Sequence, residues 1–179
     1  MHKNGHFILN CPIFENPPPQ FITALVSSLE PKYIMPKEKL FRKGDMSREV
    51  CFVSSGSLEI YGDEEGKTFL NNVKNDGTSP SIVGDLSFFL IIPQPHMVMA
   101  SAESDVSLFS LTKYSYTKAL EKYPESHQVI VTSLLAEMGL DTNGDDMADK
   151  ADVGEGGAPG GGGGKKKKQV SWTENIERK

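Results

Sequence analysis

Between Lys74 and Lys113 the chain carries no lysine or arginine. An anion held there must rely on backbone amides, hydroxyls or histidine, because no permanent positive charge is at hand. Cysteine is scarce too. Cys11 and Cys51 are far apart and make no C-x-x-C pair, which fits two reduced, buried thiols in a reducing cytosol. The four histidines, His2, His6, His96 and His127, form no cluster with carboxylates, so no metal site of the cupin kind is expected. Neither a nucleophile elbow nor a P-loop spacing occurs, and the chain is not expected to be an enzyme. The longest apolar run, Phe88–Ile92, is far too short to span a bilayer. No charged-then-apolar leader opens the sequence. A cytoplasmic chain is expected, and a piece of a longer membrane protein fits equally. With a net charge of −5 and one basic block, Lys165–Lys168, the chain lacks the basic face that nucleic acid requires.

What remains is enough for one domain and a tail in 179 residues. Asn16 before Pro17-Pro18-Pro19 reads as a helix start, a capping side chain followed by residues that need no amide hydrogen. Phe21, Leu25 and Leu29 continue it as an apolar stripe ending near Pro31. Short β-type segments follow at 32–35, 39–42, 50–54, 57–61 and 68–73. Gly44-Asp45, Ser55-Gly56, Gly62-Asp63 and Asp76-Gly77 separate them at intervals of about ten residues, the rhythm of an all-β roll or barrel. After Thr112 helical spacing returns: Tyr116, Leu120 and Tyr123 up to Pro124, then Ile130, Leu134 and Met138.

The stretch from Val83 to Thr112 organises the rest. Gly84-Asp85 opens it with a residue free of Cβ restrictions and a carboxylate. A hydrophobic turn, Leu86–Ile92, and a stiff Pro93-Gln94-Pro95 follow, then two strand-like runs at 97–102 and 106–112. Phe88, Phe89, Ile91 and Ile92 make the turn unusually apolar. They suit either a collapsed, self-occupied site or contact face, or simply core.

A glycine, a carboxylate, one helical turn and a return strand resemble the phosphate-binding cassette of cyclic-nucleotide-binding domains. CPIFENPPPQFITALVSSLE (Cys11–Glu30), LFRKGDMSREVCFVSSGSLEIY (Leu40–Tyr61) and VGDLSFF (Val83–Phe89) are similar to the domain of that type in voltage-gated and nucleotide-gated cation channels. The resemblance implies an α+β fold over 7–140: a jelly-roll-like β-roll of about eight short strands. An N-terminal helix, a short cassette helix and two C-terminal helices complete it. It implies a cytosolic regulatory domain, at the inner face of a membrane as part of a channel, with cAMP or cGMP as ligand and no resident cofactor. The matching positions are Gly84, Asp85 (where glutamate is usual), Leu86 and Ser87, with His96 in the arginine's place and Met97 after it. Ile130, Leu134 and Met138 match the helix that closes over the base. Pro36-Lys37-Glu38 stands where the family has Pro-Gly.

His96 is a poor substitute for a guanidinium. Arginine is always charged and bidentate. Histidine, with an ordinary pKa near ~6.5, is mostly neutral in the cytosol. A buried charge left without its partner costs on the order of 2–5 kcal/mol. The competing expectation is a homology domain that keeps the roll, does not bind ligand and acts as an interaction scaffold.

The composition changes at Asp141. Asp141, Asn143, Asp145 and Asp152 have calcium-loop spacing, but Asp146 stands where that loop needs glycine. An acidic, then glycine-rich linker at 141–164 is expected to lack fixed structure. The last segment, 165–179, holds Lys168, Val170 and Trp172, which resemble the docking motif of type-1 protein phosphatase regulators. Ser171 between them is a candidate phosphosite for a basophilic kinase. A lysine patch on anionic lipid or a merely solubilising run accounts for the same residues.

Overall fold

The computed structural model describes residues 8–9, 11–76, 81–103 and 105–140. The two tail segments lie outside the described residues, and with them Lys168, Val170, Ser171 and Trp172. So do His2, His6, Phe7 and Gly77. Residues 1–134 form one compact unit, and 135 onward a second, of which 135–140 are described.

A 3-10 turn, Pro12–Phe14, leads into helix α1, Pro19–Ser27. The cap is Pro18 and makes no side-chain hydrogen bond. The expected cap, Asn16, lies further back, and its Nδ2 donates instead to Ser133 Oγ at 3.5 Å. Consecutive prolines already remove the amide hydrogens that a cap would satisfy. The helix also stops earlier than its apolar stripe suggests. Ser28 donates its hydroxyl to the carbonyls of Ala24 and Leu25, and the chain from Glu30 is drawn into strand pairing.

Eight strands follow: β1 Glu30–Ile34, β2 Lys39–Phe41, β3 Glu49–Ser55, β4 Ser57–Tyr61, β5 Phe69–Lys74, β6 Ile82–Val83, β7 Met97–Ala100 and β8 Val106–Thr112. They make two antiparallel four-stranded sheets, ordered β1-β8-β3-β6 and β2-β7-β4-β5. Helix α2, Asp85–Leu90, interrupts the strands, and α3, Lys113–Leu120, and α4, Ser126–Glu137, follow them. This is the α+β roll that the sequence implies. The short β6 carried no apolar run long enough to be read as a strand; it exists because Cys51 and Phe52 pair with Val83 and Ile82.

β3 shows how the layers are made. Alternate side chains point to opposite faces of a strand. Cys51 and Val53 join a roll-side cluster with Ile34, Leu58, Val98, Val106 and Leu108. Val50 and Phe52 join a second cluster with Phe21, Phe88, Phe89, Tyr116, Ile130 and Leu134. The strand is therefore apolar on both faces, and its run reads V-C-F-V. Cys51 and Cys11 are both buried, and they are not joined in a disulfide. Burial, followed by the charge of Glu49, raises the Cys51 thiol to about 12.

Lys37 has φ +65°. The turn after Pro36 thus takes the left-handed conformation for which Pro-Gly would be suited, with lysine bearing the strain. Lys37 N–H bonds to Ala100 O at 3.1 Å and Ala100 N–H to Glu38 O at 2.9 Å, which hold the turn in place.

Candidate functional site

The cassette begins at Gly84, φ +83°, at the start of α2. A β-carbon there would stand 2.7 Å from Cε2 of Phe41 and 3.3 Å from Glu49 O. Only glycine meets both demands, the dihedral and the close approach of β2. Asp85 follows, half-buried. Burial pushes its carboxyl above the ordinary value, while hydrogen bonds from the N–H groups of Asp85 and Leu86 pull the other way. Ser87 is buried, and its hydroxyl accepts from Ser47 N–H at 2.9 Å. The acceptor side of the Ser87 hydroxyl is thus taken, and its O–H remains able to donate.

The structure places His96 and Met97 at the entry to β7. His96 is half-buried, and burial, then the charge of Lys43, lowers its pKa. Both effects favour the uncharged imidazole. Met97 is fully buried and pairs in register with Tyr61 on β4.

The apolar residues of the cassette divide. Phe88 and Phe89 are core, with ring centroids 4.9 Å apart and each within 5.4 Å of Tyr116. Ile91 is 63 % exposed and Ile92 39 %. Ile91 also has φ +56°, an unfavourable state for a β-branched residue. Ile130 and Leu134 of α4 are buried in the cluster that holds Phe88 and Phe89, so both act as core packing. Met138, in the second unit, is exposed.

Beside the cassette lies an open cleft of about 720 Å³, lined from β2, the β2–β3 turn, Gln94 and the start of α3. None of the six cassette residues lines it. Arg42, Arg48 and Lys113 do. Its wall is held by Gly44 N–H to Gln94 O and Gln94 N–H to Asp45 O, both 2.8 Å. Lys113 donates its ammonium to Phe88 O at 2.8 Å and lies 4.7 Å from that ring's centroid. The sequence reading gave these cations no part in a site. Arg42 was visible in the R-K-G-D turn, but its proximity to Gln94 and Lys113 depends on the fold.

A family model described as "Cyclic nucleotide-binding domain" matches residues 31–123. Among curated proteins, cyclic nucleotide-gated channel beta-1 of Homo sapiens is 23 % identical over 128 residues, 71 % of this chain and 10 % of that protein. Potassium/sodium hyperpolarization-activated cyclic nucleotide-gated channel 2 of Mus musculus is 24 % identical over 127 residues, 70 % of this chain and 13 % of that protein. A cyclic nucleotide-gated channel of Caenorhabditis elegans is 25 % identical over 123 residues, 66 % of this chain and 16 % of that protein. The chain spans about a tenth to a sixth of the length of these relatives.

Proposed function

This chain belongs to the cyclic nucleotide-binding domain family, and on that premise we propose that it is a regulatory domain of a cation channel whose cyclic nucleotide site is weakened. The ligand class is cAMP or cGMP, met by Gly84, Asp85, Leu86 and Ser87 with His96 and Met97 opposite the phosphate. The domain acts in the cytoplasm at the inner face of the membrane, and passes its state to a pore. Channel relatives support the setting. Fold alone would not, since one scaffold serves many functions.

One observation carries the weakening: no arginine or lysine lies between residues 75 and 112, and burial disfavours the charged form of the histidine at the matching place. A phosphate brought there would lose water and meet, in place of a bidentate guanidinium, the Lys43 ammonium, which already donates to Gly62 O at 2.7 Å.

Thermal melting with cAMP and cGMP tests this reading. A shift of no more than about 2 °C at millimolar ligand is expected, because mass action gives little stabilisation near the dissociation constant. A shift of several degrees at micromolar ligand would overturn it. His96→Arg is expected to tighten binding by about tenfold or more, since a charge-assisted bidentate pair replaces a single neutral donor.

A further inference from the structure

The open cleft has properties that the cassette lacks. Arg42 and Arg48 are exposed on its rim, and neither makes an ion pair among the described residues. Lys113 brings a third cation, partly withdrawn from water. Of the two carboxylates in the lining, Glu49 is occupied by Lys32 and by the hydroxyl of Ser110, and Asp45 is exposed; Lys39, also in the lining, is paired with Glu64. Thr112, Lys113 and Tyr114 place the N-terminus of α3 on the same wall, with the Lys113 N–H bonded to Arg48 O at 2.8 Å and the Ser115 N–H to the Thr112 hydroxyl, so the helix adds its dipole there and not those two donors.

A second observation is independent of charge. Gln94 is 5 % exposed, and its Nε2 has no hydrogen-bond partner. Buried amide donors are normally paired. This one belongs to a residue of the cleft's lining, whose backbone N–H and carbonyl are both fixed to the β2–β3 turn. Gln94 shares the lining with Arg42, Arg48 and Lys113.

We infer that this cleft is a second anion site, which takes a phosphate group on an organic ligand between the guanidiniums of Arg42 and Arg48, with Lys113 and the Gln94 amide as further donors. Two guanidiniums match the planar, bidentate geometry of phosphate oxygens better than ammonium groups do. The cleft is large enough for a ligand well beyond inorganic phosphate in size. The six positions matched to the cyclic nucleotide site do not line the cleft, so the two ligands would occupy different places, although Ser47 and Lys113 of the lining touch α2 at Ser87 and Phe88.

The test is calorimetric titration of the full chain with inorganic pyrophosphate, beside flotation with phosphatidylcholine vesicles containing phosphatidylserine. Saturable pyrophosphate binding is expected, undisturbed by millimolar cAMP and weakened about tenfold or more in Arg42→Gln/Arg48→Gln. Both side chains are exposed, so this variant should melt as the parent does. Vesicle binding alone, lost in the same variant, would assign the phosphate to a lipid headgroup at the same cleft. Absence of binding in both arms, binding undiminished in the variant, or displacement of pyrophosphate by cAMP would overturn the inference.

Discussion

The ammonium of Lys113 donates a hydrogen bond to the backbone carbonyl of Phe88 at 2.8 Å. The contact joins the first residue of α3 to α2, across a separation of 25 residues. It also answers a local need. A six-residue helix leaves most of its carbonyls without partners, and a cation near its C-terminal end is favourable. Replacing Lys113 by Met removes the donor and keeps the stem. Chemical denaturation of Lys113→Met is expected to give a loss of about 1 kcal/mol, the charged hydrogen bond being discounted for its partial exposure.

Gly84 allows no side chain. In Gly84→Ala the new methyl meets Phe41 at 2.7 Å with the backbone still at φ +83°. Strain and overpacking add, and a loss of about 2–4 kcal/mol is expected in equilibrium unfolding. A variant as stable as the parent would mean that Phe41 and the β2 edge yield easily.

Asp85 gives a pH signature. Burial raises its folded-state pKa above that of the unfolded chain. Between the two values the folded state holds the extra proton, so stability falls as pH rises through this window, and the loss persists above it. Asp85→Asn should remove that fall. The variant is expected to match the parent below the ordinary aspartate pKa near ~3.9 and to exceed it at neutral pH. Asp63 runs the other way: N–H groups of Lys67, Thr68 and Glu65 hold its carboxyl far below the ordinary range. Its contribution is present above the unfolded pKa and fades as pH falls through the folded one. The difference between Asp85→Asn and parent, measured by denaturation at each pH, cancels that shared slope.

Ile91 carries a branched side chain at φ +56° while largely exposed. Relief of the strain in Ile91→Gly should outweigh the added unfolded-state entropy, for a gain of about 0.5–1 kcal/mol. A destabilised variant would indicate that the side chain makes contacts worth more than the strain.

The tail yields a separate expectation from residue pattern alone. Capture of type-1 protein phosphatase by the full chain should be lost in Val170→Ala/Trp172→Ala and in a Ser171→Glu variant. Capture unchanged by the first variant would remove the docking motif from consideration.

Local chemistry settled much of this protein in advance. Turn residues at regular intervals, the return of helical spacing after Thr112, and a glycine before a carboxylate each act over a few residues, so they can be read from the order of side chains. The missing cation between Lys74 and Lys113 needs no structure at all. Packing between distant segments decided the rest. Phe88 and Ile91 look alike in the sequence, yet one lies against Tyr116 and the other faces water. Ile130 and Leu134 became core because the second cluster encloses them. Lys37 holds a glycine's dihedral because two hydrogen bonds fix the turn around it. Arg42, Arg48, Gln94 and Lys113 share a cleft only because strand pairing closes the roll around them. Their spacing along the chain carries no trace of it, since proximity across a sheet is set by register and not by sequence distance.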